Sequence, residues 1–175
     1  MKNLNRTERE VRGRTRATDH GATLRWLASG DLVEVLRIER GCFRSPWPRQ
    51  AFEMAVHDDS ILAVGAFDDD APVGYVIACA GARSVLVANL AVAEGRRRRG
   101  LGRRLLDVAV DWARSRGHHR VTLEVRRSNA AAIRLYGDAG FEAVAVRRGY
   151  YDDPPEDALT MALDLDDGDG SEPCD

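Results

Sequence analysis

The sequence predicts an α/β fold, a single sheet with helices packed on both faces. Three observations carry that expectation. Apolar runs of strand length alternate with stretches whose apolar residues recur every three or four positions, in the order strand, two helices, three strands, helix, strand, helix, two strands. The chain has 175 residues, 44% hydrophobic and 31% charged, which suits one domain with one real core. From about residue 22 to residue 165 it contains no linker and no internal repeat.

The elements follow in order. "ATLRWL" reads as a short strand. Asp31 is placed to cap the next segment, where Leu32, Val35, Leu36 and Ile38 keep helical spacing. "FRSPWP" breaks that helix with two prolines, and a second helix runs from about Arg49 to His57. "ILAVGAF" and "PVGYVIACA" are strands joined by the acidic turn "DDDA", and "SVLVANLAVA" is a further strand. A Gly-Leu-Gly turn then opens a long helix carrying Leu101, Leu105, Val108 and Trp112, which Gly117 ends. "RVTLEVR" puts Val121, Leu123 and Val125 on one face and Thr122, Glu124 and Arg126 on the other. Ser128 is placed to cap a helix that stops at Gly140, and "FEAVAVR" and "ALTMALDL" are the last strands.

Composition excludes several classes. The net charge is −2, so six arginines within "GRRRRGLGRRLL" are a local feature, and direct nucleic-acid binding is not expected. No apolar run approaches the roughly 18 residues of a membrane span, and no secretory signal is expected at the charged N-terminus. Cys42, Cys79 and Cys174 are too widely spaced for a disulfide framework or a paired zinc site, and a reducing cytoplasm is the expected location. His118 and His119 do not have metal-pair spacing, so no metal is expected. Residues 1–21 read as a flexible basic arm, residues 22–165 as the folded domain and residues 166–175 as an acidic tail.

A strand followed by Gly100, Gly102 and a helix has the order of a phosphate site. Glycines let the backbone approach an anion, the first helical turn aims its N–H groups at it, and Arg97, Arg98, Arg99 and Arg103 add positive charge. No Gly-Lys-Ser/Thr follows, and the third glycine of a dinucleotide turn is missing, which excludes both of those families.

Downstream, "LEVRRSNAAAIRLYGDAGF" is a strand ending in a carboxylate followed by a helix on which Asn129 and Tyr136 share a face. Here the sequence resembles the GCN5-related N-acetyltransferases (GNAT), whose acetyl-CoA motif, Gln/Arg-x-x-Gly-x-Gly/Ala, is matched by Arg97, Gly100 and Gly102. It is most similar to the RimI-type ribosomal-protein-alanine Nα-acetyltransferase branch, through "FRSPWPRQAF", "NLAV", "RRGLG", "LEVRRSNAAAIRLY", "GF", "RRGYY" and "EDALTMAL" in that order, over about Leu24 to Leu165. The glycine motif is shared across the superfamily; the "LEVR…NAAAIRLY" and "RRGYY" blocks are far more specific. Two departures stand out: "AVAEGRRRRG" lacks the proline common before the motif, and Gly149 stands where relatives often carry asparagine.

The resemblance implies a mixed, mostly antiparallel sheet of six to seven strands with a splayed pair that holds acetyl-CoA. It implies the pyrophosphate on backbone amides of Arg98, Arg99, Gly100, Leu101, Gly102 and Arg103. The pantetheine would lie along Leu90, Ala91 and Val92, with the Val92 N–H on the thioester carbonyl and Asn129 on the pantetheine arm. Glu124 is implied as general base through water and Tyr136 as general acid toward the leaving thiolate. Pro46, Trp47, Tyr150 and Tyr151 would frame the acceptor, with Asp152, Asp153, Glu156 and Asp157 beside the mouth attracting a basic peptide. The implied partner is the N-terminus of a small-subunit ribosomal protein or of another protein, the implied first residue is alanine, and a monomer is expected.

Elementary acid–base chemistry agrees with an N-terminal acceptor. An α-amine titrates at about 7.7–8.0 and lysine at about 10.4, so near pH 7.5 roughly a third of N-termini are neutral against about one lysine in a thousand. A single modest base then suffices. A broader N-terminal or lysine acetyltransferase is the second enzyme reading, and a non-catalytic RNA-binding or regulatory module on the same fold is the alternative of a different class.

Overall fold

A computed structural model describes residues 21–165. The basic arm, apart from Gly21, and the acidic tail lie outside the described residues. The elements are β1 (Thr23–Trp26), α1 (Leu32–Cys42), α2 (Arg49–His57), β2 (Ile61–Asp68), β3 (Ala71–Ala80), β4 (Ser84–Val92), α3 (Leu101–Ser115), β5 (Arg120–Arg126), α4 (Ala130–Asp138), β6 (Glu142–Asp152) and β7 (Pro155–Asp164). This is the element order read from the sequence, with β6 extending well past "FEAVAVR". The strands form one sheet of seven in the order β1-β2-β3-β4-β5-β7-β6. Every adjacent pair is antiparallel except β4 with β5.

Alternation along the strands builds two cores. Leu62, Val64 and Ala66 of β2 and Val121, Leu123 and Val125 of β5 face α3 and α4, where Leu101, Leu105, Leu106 and Ala109 are buried. Ala63 and Phe67 of β2 and Tyr75 and Ile77 of β3 face α1 and α2, against Leu32, Val35, Leu36 and Phe52. The helices thus lie on both faces. Each fully buried leucine on α3 contributes about 1.5–3 kcal/mol, which fixes the α3 axis and therefore where its N-terminus points.

One irregularity sets up the site. Ile77 pairs with Asn89 but Ala78 pairs with Val87, so Ala88 is an extra residue in β4. The bulge reverses the alternation. Val85 and Val87 face the α3 side before it; after it, Leu90 and Val92 pack on that side while Ala91 joins the α1 side.

Two expected caps differ. Asn129, not Ser128, caps α4, its side chain accepting from Ala132 N at 3.1 Å. Ser128 instead donates its N–H (2.6 Å) and hydroxyl (3.0 Å) to Glu156, because the carboxylate of the neighbouring β7 is within reach. Asp31 occupies the N-cap of α1 without a side-chain cap bond. Its carboxylate turns back to Ala28 N at 2.8 Å and to Arg25 at 2.8 and 2.9 Å.

Candidate active site

The parallel pairing of β4 with β5 ends at Val87 opposite Leu123. Beyond that point β4 runs on beside β3 to Val92, and β5 runs on beside β7 to Arg126. A gap therefore opens between Leu90–Val92 on one side and Glu124–Arg126 on the other. The bulge at Ala88 lies where the strands part.

The chain leaves β4 through a 3₁₀ turn at Glu94–Arg96 and enters α3 through two left-handed residues, Arg98 (φ 63°) and Gly100 (φ 76°). Gly100 is the N-cap, and a Cβ built on it would meet nothing within 4 Å. The first turn of α3 therefore opens onto free space with no side chain capping its amides, the arrangement that favours an anion. Gly102 serves packing: a Cβ there would lie 3.3 Å from Leu135 of α4 and 3.9 and 4.0 Å from Val92 and Leu90. The arginines divide. Arg97 donates to Val92 O at 3.0 Å and lies 3.2 Å from the Cys42 sulfur. Arg103 holds Asp107 at 2.7 Å and the Asp138 carbonyl, at the end of α4, at 2.8 Å. Both guanidinium groups are bonded within the chain while remaining exposed. Arg98 and Arg99 have no hydrogen bond or ion pair to another described residue.

Glu124 and Tyr136 approach the gap from opposite faces of the sheet. Glu124 alternates with the buried Leu123 and Val125, so it lies on the α1 side, with Arg147 Nη1 3.1 Å from its Oε1. Tyr136 belongs to the α3 side. Its place follows from how α4 ends. The N–H of Phe141 donates to Tyr136 O and that of Gly140 to Gly137 O, and the Phe141 ring packs 6.1 Å from the Tyr136 ring. Burial, with a lesser contribution from the nearby Tyr151, pushes the Tyr136 phenol up to about 12. Burial also raises Tyr151, whose surroundings include Tyr150, Arg126, Glu124 and Glu156. Tyr151 is thus within electrostatic reach of both Glu124 and Tyr136.

The flanking loops are held by their own contacts. Between Arg147 and Tyr151, β6 bulges away from β7, with Gly149 at φ 58° and its N–H on Asp157 Oδ1 at 2.9 Å. That left-handed position accepts glycine or asparagine alike, which accounts for Gly149 at this site. Tyr150 and Tyr151 stack edge to face at 5.0 Å, with Arg147 over the first ring and Arg126 over the second. Two of the four acidic residues expected beside the mouth are engaged locally: Glu156 by Arg126 and Ser128, and Asp157 by Arg127 and Gly149. Pro46 is exposed, whereas Trp47 is half-buried against the α1–α2 core, its ring 5.8 Å from Phe52.

A polar cluster went unread in the sequence. Glu39 is 0% exposed. Its carboxylate accepts from Trp47 N at 2.7 Å, from the Tyr75 hydroxyl, and from Asn89 Nδ2 at 3.3 Å to each oxygen. The signal was present, since Glu39 continues the buried stripe of α1 and Asn89 interrupts an apolar strand.

A sheet that parts between two parallel strands, in front of a glycine turn and a helix N-terminus, defines the class. The chain belongs to the acetyltransferase (GNAT) family, whose model matches residues 32–141, and it is an N-acetyltransferase. The [ribosomal protein bS18]-alanine N-acetyltransferase of Salmonella typhimurium is 35% identical over 145 residues, covering 82% of this chain and 97% of that protein. The crystal structure of the Escherichia coli ribosomal-protein-S18-alanine N-acetyltransferase superposes with a TM-score of 0.77 at 32% identity, over 85% of this chain and 97% of that one. Arabidopsis thaliana NAA60, solved in complex with acetyl-CoA, shares the fold with a TM-score of 0.75 at 22% identity, over 82% of this chain and 98% of that one. Among the described residues, no helix is long and apolar enough to cross a membrane.

Proposed function

We propose that this chain transfers acetyl from acetyl-CoA to the N-terminal α-amine of a ribosomal protein, with alanine as the first residue. The observation that carries the chemistry is the gap itself, with Glu124 on one face, Tyr136 on the other and the open turn at Gly100 behind it. The bS18-directed relatives supply the acceptor class.

The residues present fit acetyl-CoA. The open first turn of α3 suits a pyrophosphate, with Arg98 and Arg99 adding charge, and the strand edge at Leu90–Val92 suits an extended pantetheine arm. Asn129, although its carbonyl caps α4, keeps an amide nitrogen that can donate to that arm. Bound acetyl-CoA supplies an activated acetyl thioester. The Val92 N–H is the donor that would polarise the thioester carbonyl. Arg147 holds Oε1 of Glu124, and Oε2 is the oxygen that receives the amine's proton through water. Tyr136, raised to about 12, keeps its proton at every physiological pH. Tyr136 is the group that would donate to the departing sulfur. Pro46, Tyr150 and Tyr151 line the acceptor side, and Trp47 supports that side from below.

Mass spectrometry of intact ribosomal proteins from cells with and without this gene tests the assignment. One small-subunit protein lighter by a single acetyl group, mapped to its N-terminal alanine, is the expected difference; an unchanged set of ribosomal masses would refute it.

A further inference from the structure

Glu39 is the buried titratable group that the reaction above does not use. It sits on α1, without an ion pair among the described residues, and its partners come from three other elements: Trp47 N in the loop before α2, the Tyr75 hydroxyl of β3, and Asn89 Nδ2 of β4. Tyr75 Oη also lies 3.3 Å from Asn89 Oδ1, closing the cluster. Burying a carboxylate away from water is costly unless donors surround it. Here all are neutral, and each fixes one piece of chain to another.

The elements joined are informative. Asn89 is the residue after the bulged Ala88, and only the bulge turns it to the α1 side, where Glu39 waits. Leu90–Val92, the strand edge assigned to the cofactor, follows directly. Trp47 N belongs to the loop "SPWP", assigned to the acceptor. Just before the loop, Cys42 at the end of α1 adds a further tie, its thiol reaching Val92 O at 3.5 Å. Pro46 and Pro48 have no N–H to donate, so the Trp47 N–H is the main-chain donor between them.

We propose that Glu39 is a positioning residue that pins the Pro46–Trp47 loop to the bulged end of β4 and so sets the acceptor side of the cleft relative to the cofactor side. This rests on the reading of that loop as substrate-facing. The dependence is one-sided. β4 is held by its ladder with β3 from Gly74–Val92 to Ile77–Asn89 and needs no carboxylate, whereas the loop, beyond the Trp47 ring packed on Phe52, is tied toward β4 through Glu39. Loss of the pin therefore disturbs acceptor binding and spares acetyl-CoA binding.

Two conservative variants separate the side chain's reach from its carboxyl group. Glu39→Gln keeps the length and an acceptor oxygen for Trp47 N–H, and its NH₂ can donate to Tyr75. Glu39→Asp keeps the carboxyl group but falls one methylene short of the loop. Each is measured for the KM of an Ala-first peptide, for acetyl-CoA affinity by direct titration, and for amide hydrogen exchange of residues 43–48 and 84–92 in the protein alone. The expected result is a peptide KM within about threefold of wild type for Glu39→Gln and raised about tenfold for Glu39→Asp. Acetyl-CoA affinity should change less than twofold in both, and exchange should quicken in 43–48 but not in 84–92 for Glu39→Asp only. A Glu39→Asp protein with wild-type KM and exchange would overturn the proposal. So would parallel loss of both affinities, or unfolding, in both variants, because each marks Glu39 as generally structural. If wild type acetylates no N-terminal peptide, the proposed function fails, and hydrogen exchange still reports whether Glu39 pins the loop.

Discussion

Arg147 Nη1 lies 3.1 Å from Glu124 Oε1, while the same guanidinium stacks 4.7 Å from the centre of the Tyr150 ring. One arginine thus links the candidate base to the loop proposed to hold the acceptor. The Arg147 side chain is 55% exposed, so the pair contributes at most about 1 kcal/mol to stability. Arg147→Met should leave thermal unfolding within a few degrees of wild type but raise the peptide KM severalfold as Tyr150 loses its support. Equal peptide KM values for the two proteins would separate Arg147 from the acceptor site.

Glu124→Gln should reduce turnover by about 10²–10⁴ near neutral pH, the usual worth of a positioned base. The deficit should shrink between pH 6.5 and 9, because an α-amine titrating at about 7.7–8.0 loses its proton unaided. Steady-state rates across that range check it. A constant ratio of variant to wild type would remove Glu124 from the proton path.

Tyr136→Phe should preserve acetyl-CoA affinity and lower turnover by about 10²–10³, as for loss of one donor to a developing anion. Its stability carries a second signature. The folded phenol is raised to about 12, against about 10 when unfolded. The stabilisation from keeping it protonated is complete below pH 10 and is lost as pH climbs toward 12, at up to about 1.4 kcal/mol per unit. Wild type should therefore lose stability relative to Tyr136→Phe between pH 9.5 and 11.5, and comparing the two proteins isolates this phenol from Tyr75. Denaturant midpoints that fall in parallel would show that Tyr136 is not held in a dry site.

Gly100→Val introduces a β-branched side chain at φ 76° into the space before α3. The left-handed conformation costs an L-residue about 1–2 kcal/mol, and the side chain should lower acetyl-CoA affinity at least tenfold. Calorimetric titration measures this directly. Gly102→Ala should act differently, pressing on Leu135 and shifting α4 with little direct effect on the anion site.

The fold was legible where one periodicity dominated. Leu101, Leu105 and Val108 announced α3, and Val121, Leu123 and Val125 announced β5 with Glu124 on its opposite face. The family blocks brought Glu124, Tyr136 and the Gly100 turn to one place along the chain. What escaped depends on three-dimensional contact. The family resemblance implies a bulge in this strand, but Ala88 looks like any strand residue, and only the folded sheet shows that the bulge falls there and decides which side Asn89 faces. Arg97 and Arg103 stand in a run of arginines, and only the folded chain shows that Val92 O and Asp138 O come within their reach. Ser128 and Asn129 are both good caps, and Glu156, distant in sequence, draws Ser128 away.

The central claim is acetylation of a peptide's first amine, and competition between two peptides tests it most directly. One begins with a free alanine and carries an internal lysine; the other is identical but blocked at its N-terminus. The enzyme receives both with acetyl-CoA, and the products are mapped by fragmentation mass spectrometry. Acetyl on the α-amine of the free peptide, with little on either lysine, is the predicted result. Equal or preferential acetylation of the internal lysines would contradict the account and make this chain a lysine acetyltransferase.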